Sequence, residues 1–456
     1  MSEQEKGNHR QILIEQTRVK GNRITSRIRF TGGAERYFRG RVPLWFEYSC
    51  GPERISESSP ENGTGRNPES APDNGPGSVS GSGPEDGPEG CLAGVPAGIL
   101  NVPAAANLIA AAWVLNAELV VPELDEDFFR CLPEVKRAYQ RMYPEIPLGG
   151  KVTVLRNSGG DPEDLHQSRN LLYGDPVDLQ QNRIFSYREN LHNMAQRGSG
   201  AMLLFSGGVD SWYSLVRHES EHPALVTVIG ADVPARDRSG TRVLARLQEE
   251  TVHSLGCRGK VLVRTNLREF INEEALGNET GKYYRGDGWW HDFQHGIGLL
   301  GCCAPAAAAM HCGTVYIAAS FTAADGKVRC ASDPSIDNCV RFGGTEAIHD
   351  GFESSRLEKL RTLKEFHERE HKLVPLHICW ERSDGINCCR CEKCIRTWME
   401  LKHLGADPAE YGLDITPTRH EMRRAICGSW LNAYACNALI DPNRGQYYQE
   451  LAEDGK

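Results

Sequence analysis

From Ala201 onward, short apolar runs alternate with longer stretches in which apolar residues recur every three or four positions. AMLLF precedes SWYSLVRHES, ALVTVIGA precedes TRVLARLQEETVHSLG, and KVLVRTN precedes a longer excursion that contains the apolar stretch Gly296–Met310; TVYIAAS then supplies another strand. Strands of about five apolar residues alternating with helices predict an α/β fold, a doubly wound parallel sheet covered on both faces.

The pattern before Ala201 differs. Residues 11–50 alternate at period two (ILIEQTRV, RITSRIRF, PLWFEYSC), which predicts a small sheet. ANLIAAAWVLNAEL reads as an amphipathic helix, ELDEDFFRCLPEVKRAYQRMYP as one or two more, and KVTVL as a closing strand. Residues 51–92 hold almost no large apolar side chains, so they are expected to be a disordered acidic Gly/Pro/Ser insertion. The expected division is a β-rich part at 1–50, that insertion, the remainder of an N-terminal α+β domain at 93–190, the α/β domain at 200–405 and a helical extension at 406–456.

Charge and cysteine usage sharpen this. The chain has 456 residues and a formal net charge of −9. Much of that charge sits in the acidic insertion, so the remainder carries no footprint for non-specific nucleic-acid binding. The polar start MSEQEKGNHRQ and the shortness of the Gly296–Met310 run predict neither a secretory signal nor a membrane span, and a cytoplasmic location is expected. Sixteen cysteines in such a chain point to a reducing compartment. Five of them crowd into Cys379–Cys394.

LLFSGGVDSWYSL carries the first candidate chemistry. Gly207 and Gly208 permit backbone angles and a close approach that a Cβ forbids, and the following helix offers free N–H groups to an anion. Ser206 and Ser211 add hydroxyls. Asp210 is out of place beside phosphates unless it helps hold Mg²⁺ or caps the helix; the bland alternative is a glycine turn with Asp210 as a cap.

SGGVDS resembles the SGGxDS loop of the PP-loop ATP pyrophosphatase superfamily, whose members cleave ATP between the α and β phosphates and adenylate a carbonyl or carboxylate oxygen. The resemblance implies ATP and Mg²⁺ as cofactors, Ser206, Gly207, Gly208, Val209, Asp210 and Ser211 as the nucleotide-binding loop, and Asp210 and Ser211 as its catalytic members. Separately, Cys379, Cys388, Cys391 and Cys394 have the spacing C-x8-C-x2-C-x2-C, which suits a closed tetrahedral Zn²⁺ site of structural type. Ordinary buried thiols and an iron–sulfur cluster are the alternatives. Cys389 is a bystander or a substitute for Cys388.

Loop and cysteines together resemble the 7-cyano-7-deazaguanine synthase (QueC) family over residues 201–405. That family adenylates 7-carboxy-7-deazaguanine and accepts ammonia, giving an amide and then a nitrile. The GYPDCR-type substrate segment of the family is absent; RCASDPSIDNCVRFGGTEAIHDG stands in its place. Asp333, Asp337 and Arg341 there are candidates to read a purine edge, or a different substrate altogether. His295 is a further substrate candidate, sharing a helix face with His291, although two such histidines more often form a helix start or a polar pocket wall. Trp289 and Trp290 are expected to pack. Asp232, at the end of the second strand, is a candidate to touch adenosine or a solvated loop acid. Arg356 and Lys359 are read as a solvated face, while Lys393 and Arg396 could steer a carboxylate or phosphate.

The expected function is therefore an ATP-dependent carbon–nitrogen ligase. No glutaminase signature accompanies the N-terminal 190 residues, so they suit a larger acceptor, an amine on a partner protein, as in QueC-like proteins of antiphage (antiviral) defence; a homodimer is also possible on this reading. The alternatives are a nitrile synthase using ammonia, a PP-loop sulfur transferase acting on nucleic acid, and a non-catalytic nucleotide-binding scaffold.

Overall fold

The computed structural model describes residues 9–40, 42–51, 90–155, 198–325, 328–379, 381–382, 386–418 and 420–422. Nearly all of the expected acidic insertion, residues 156–197 and most of the C-terminal extension lie outside the described residues. The strands are β1 (Gln11–Lys20), β2 (Arg23–Thr31), β3 (Leu44–Cys50), β4 (Glu118–Val121), β5 (Lys151–Val154), β6 (Gly200–Leu204), β7 (Ala224–Ile229), β8 (Lys260–Thr265), β9 (Cys312–Ala318), β10 (Arg341–Phe342) and β11 (Thr345–Asp350). The principal helices are α1 (Ala97–Val114), α2 (Glu126–Met142), α3 (Val209–Arg217), α4 (Arg238–Leu255), α5 (His295–Ala309), α6 (Arg356–Glu370) and α7 (Glu392–His403).

All eleven strands form one sheet in the order β10-β11-β9-β6-β7-β8-β3-β2-β1-β4-β5. The run β11-β9-β6-β7-β8 is parallel throughout, so this is an α/β protein with a large, mostly parallel sheet. Alternate residues of these strands supply two cores. Met202, Val226, Val263 and Val315 enter one; Leu203, Leu225, Ile229 and Tyr316 enter the other. Both faces are thus covered, as continuous apolar strands require.

The strands of residues 11–50 form the expected meander, but not as a sheet of their own. β3 pairs antiparallel with β8, from Phe46↔Thr265 to Cys50↔Val261. The pairing satisfies the backbone edge that β8 would otherwise expose. β4 and β5 then extend the sheet in parallel beyond β1.

The expectation of an amphipathic helix at ANLIAAAWVLNAEL is corrected. Every residue from Asn101 to Trp113 in α1 is buried, because the helix lies between α5 and the strands β1 and β4. Small residues permit this: a Cβ on Gly301 of α5 would stand 2.3 Å from the Cβ of Ala106. By length and composition α1 would suit a membrane, but here it is a core helix. The ELDEDFF stretch forms one helix, α2, which continues through Pro133 and is capped by Asp125, whose carboxylate accepts from Phe128 N at 2.9 Å.

Candidate active site and metal centre

β6 is the point from which the parallel run grows in both directions, β7 and β8 to one side, β9 and β11 to the other. A crevice at the carboxyl ends of such strands is where ligands bind in open α/β sheets. SGGVDS occupies it. Phe205 leaves β6, Gly207 turns with φ 78°, and α3 begins at Val209. The left-handed backbone at 207 favours glycine, and a Cβ there would stand 2.4 Å from Leu247 Cδ2, so that side chain would have to shift. No side chain of its N-cap residue, Gly208, caps α3; the Gly208 amide donates to Ser206 Oγ at 3.4 Å, and the helix start lies at the crevice. Ser211 Oγ donates to Gly208 O at 3.1 Å and lies 3.4 Å from Ser206 Oγ, which leaves Ser206 exposed at the mouth.

Asp210 is not the cap of this helix. Lys359 Nζ lies 3.0 Å from its Oδ1, and Arg356 Nη1 is 4.0 Å from its Oδ2. The reading of Arg356 and Lys359 as a solvated face is thereby corrected: Lys359 is only 1 % exposed. Packing of α6 against α3 turns that side of α6 inward. Lys359 also donates to the carbonyl of Ala319, the first residue after β9. Arg356 is braced by Glu400 (3.1 Å) and Thr397 (2.8 Å) of α7. From the same helix, Lys393 is pushed below the ordinary ammonium value, by burial first and then by Arg356 and Arg396, while Asp232 and Asp210 oppose that fall. The exposed Asp232 also acts on His295 and Arg268, so its carboxylate lies within electrostatic reach of groups on both sides of the crevice.

The cysteine centre abuts this mouth. The sulfurs of Cys379, Cys388, Cys391 and Cys394 all lie within 4.8 Å of one another. Cys379–Cys391 and Cys388–Cys394 are 3.9 Å apart. Tetrahedral thiolates at about 2.3 Å from zinc stand about 3.8 Å apart, so the four could hold a metal ion such as zinc. Cys389 is left out; its backbone is left-handed (φ 54°) and its thiol donates to Asn387 O. Asn387, itself buried, accepts from the amides of Ile378 and Cys379 and donates to Leu376 O and Gly412 O. The segment it holds is joined to the glycine turn, since His377 N donates to Gly207 O at 2.8 Å and Trp212 Nε1 donates to Pro375 O at 3.1 Å.

Across the crevice, the excursion before α5 opens with a π-helical turn, Trp290–Gln294. A buried chain fixes it: Trp289 Nε1 donates to Gln294 Oε1 (3.0 Å), and Gln294 Nε2 donates to Asn107 Oδ1 of α1 (2.9 Å). Trp289 packs on Phe293, and Arg268 lies over Trp290. His291 Nδ1 is 2.8 Å from Asp292 Oδ1. His291 and His295 both act on the Cys330 thiol, and its sulfur accepts from Ser332 N at 3.4 Å. Burial alone would push the Cys330 thiol up, but the two imidazoles bring it down to about 7. His291 rises to about 10, chiefly through Asp292 and then Cys330.

The other substrate candidates are used locally. Asp333 caps the short helix Pro334–Asp337 through Ser335, and Arg341 donates to Asn338 O and Val340 O. Asp337 is fully buried, with Oδ2 bound to Ser332 and His349. A cavity of about 590 Å³ opens at the opposite ends of the strands, beside Gly198, His311 and Cys312 at the starts of β6 and β9, away from the glycine turn. Sequence reading missed Cys330 as a partner of the histidines and Lys359 as the partner of Asp210. The signal for Cys330 was present, a cysteine in the very segment where a substrate-binding motif was expected. No family model, curated protein or solved structure matches the chain.

Proposed function

We propose that the chain is an ATP-dependent ligase that adenylates a carboxylate, releases pyrophosphate and passes the acyl group to an amine. The observation that carries this reading is Asp210, a carboxylate in the first turn of a phosphate-type loop, held by Lys359 and Arg356. Such pairing offsets the repulsion between the carboxylate and a polyphosphate, and it leaves the helix amides free for phosphate oxygens. The strand order β8-β7-β6-β9-β11 is that of a doubly wound sheet. It supports the PP-loop reading, and the cysteine spacing supports the QueC-like one. In this reading Ser206, Gly207, Gly208, Val209 and Ser211 would cradle the phosphates, Asp232 would border the adenosine side, and Mg²⁺ carried with the nucleotide would supply charge neutralisation.

The carboxylate oxygen attacks the α-phosphorus and pyrophosphate departs; Lys393 and Arg396, on α7, favour the charge that develops. No side-chain nucleophile is needed for this half of the reaction. The four cysteines would hold zinc as a structural ion that fixes the start of α7. We assign 7-carboxy-7-deazaguanine as the acid and a protein amine as the acceptor, with ammonia as the alternative that would yield a nitrile.

The test is pyrophosphate–ATP exchange by the full chain with ATP, Mg²⁺ and 7-carboxy-7-deazaguanine. Exchange that requires the acid, and that falls more than 100-fold in Asp210→Ala, is expected. Wild-type protein that gives neither exchange nor AMP with this acid would remove the deazapurine assignment.

A further inference from the structure

One face of the sheet is open where the first three strands join it. α1 packs on the side of β1–β3 that carries Ile12, Ile14, Ile24 and Phe46. On the opposite face of the sheet, α4 lies over β7 and β8. Side chains alternate across a strand, so the intervening residues of β1–β3 share that opposite face, and the registers set them in rows. Lys20, Arg23 and Glu47 form one row; Arg18, Thr25 and Trp45 form the next. Arg27 and Arg29 follow along β2.

The cations of this face are exposed and in excess. Arg18, Lys20, Arg23, Arg27 and Arg29 all reach solvent. The two acids among them are already taken. Glu47 lies 3.5 Å from Arg23 and 3.6 Å from Arg264 of β8, and Glu15 lies 2.8 Å from Arg29. Among the described residues no ion pair engages Arg18, Lys20 or Arg27. Trp45 is half-buried at the centre, with the Arg23 guanidinium 4.1 Å from its ring. Pairing sets Lys20 directly opposite Arg23, a like-charge juxtaposition that costs stability unless an anion lies over it.

The chain carries an anion at the rim of this face. Residues 52–89 hold eight acids against two arginines, a net charge of −6. They lie outside the described residues, but both of their attachment points are described. Gly51 follows β3, and its amide donates to Lys260 O of β8 at 3.0 Å. Gly90 lies against the turn between β1 and β2, where a Cβ on it would stand 2.3 Å from Asn22 Oδ1. Asn22 O accepts from Tyr48 N at 2.8 Å, so both points sit at one end of these strands. The row of Lys20 and Arg23 is next to them, and Arg29 is about 20 Å farther along β2. A chain as long as 52–89, running out and back, can reach up to about 60 Å.

We propose that the open face of β1–β3 is the docking surface for this chain's own acidic residues 52–89. Carboxylates of the segment neutralise Arg18, Lys20 and Arg27, and Trp45 offers an apolar seat for one of its prolines. Tethering at both ends gives the segment an effective concentration of millimolar order over the face, which a free polyanion must exceed. The segment thereby shields a basic surface that would otherwise attract nucleic acid.

The test uses the full chain and a variant in which residues 52–89 are replaced by a short Gly/Ser linker. In the wild type at low salt, a water-soluble carbodiimide should join Lys20 Nζ to a carboxylate of residues 52–89, as read by peptide mapping. The amide forms as the carbodiimide takes up the elements of water and leaves as a urea. The cross-link should vanish at about 1 M NaCl, where the Debye length is about 3 Å. It should also vanish in the doubly charge-reversed variant Arg18→Glu, Arg27→Glu, checked for its fold by circular dichroism. The linker variant should bind heparin, the polyanion probe, about 10-fold more tightly than the wild type, and a synthetic peptide of residues 52–89 should displace it. Absence of the Lys20 cross-link at low salt overturns the proposal, as does a cross-link that persists in the charge-reversed variant. Heparin affinity unchanged by the linker also overturns it. Single-stranded DNA that shields Lys20 from acetylation as fully in the wild type as in the linker variant would give the face to nucleic acid instead.

Discussion

Lys359 is the side chain on which the two walls of the crevice meet, and nothing in RLEKLRTL distinguishes it from an exposed helix lysine. Its burial follows from how α6 lies on α3, a tertiary fact absent from the helical period. SGGVDS, by contrast, was legible because a contiguous glycine turn carries its geometry locally. Removing one member of a buried pair costs about 3–5 kcal/mol, because the partner is left uncompensated. Lys359→Met should therefore lower stability by about 3 kcal/mol, and Lys359→Met with Asp210→Asn should lower it by less than the two changes summed. A denaturation-based double-mutant cycle measures this, and strict additivity would show that the pair is not coupled. The Cys330 cluster makes a prediction in pH. The reactive form is the thiolate, so alkylation of Cys330 should rise through about pH 7, below the usual cysteine range near 8.5, and change again near pH 10 as His291 loses its proton. A single rise near pH 8.5 would contradict this ion pair.

At the scale of elements, the cysteine segment and α7 act as a bracket for the glycine turn. The spacing C-x8-C-x2-C-x2-C was enough to foresee that these four sulfurs come together, since two C-x2-C steps bring three of the thiols to one place locally. Which of Cys388 and Cys389 belongs to the set was not legible, because it depends on the left-handed backbone at Cys389. Asn387 closes the bracket with four hydrogen bonds, and Asn387→Ala leaves two buried amides and two carbonyls without that partner. A loss of about 4 kcal/mol is expected, at about 1 kcal/mol for each orphaned group. One zinc per chain by elemental analysis is expected for the wild type. Chelation, or Cys394→Ser, should release it and weaken ATP binding as Lys393 and Arg396 lose their placement; protein that retains full ATP affinity after zinc loss would separate knuckle from loop. The amphipathic reading of α1 failed for a comparable reason: a helix covered by strands on one side and by α5 on the other has no polar face to display.

The described strands join in one sheet across the molecule, and this was the least legible feature. Pairing of Phe46 with Thr265 joins segments far apart in sequence, and period-two alternation reports only that each is a strand. The core on one face draws Ile12, Phe46 and Leu108 from the first 155 residues and Val226, Val263 and Ile297 from the later ones. A chain beginning at residue 198 should therefore expose the edge of β8 and half of a core. It is expected to be insoluble or aggregated when expressed alone, as judged by size-exclusion chromatography. A soluble, monomeric 198–456 fragment would show that the later half folds by itself.

The β3–β8 seam also sets a timetable. β3 leaves the ribosome about 220 residues before the strand it must pair with. At about 5–20 residues per second, that is a wait of roughly 10–45 s. Throughout it, Phe46 and Tyr48, both fully buried in the finished protein, have no β8 to lie against. Among the described strand pairings, this seam thus leaves its apolar side chains waiting longest for their partner. Slowing translation between β3 and β8 should lower soluble yield more than slowing it after β8.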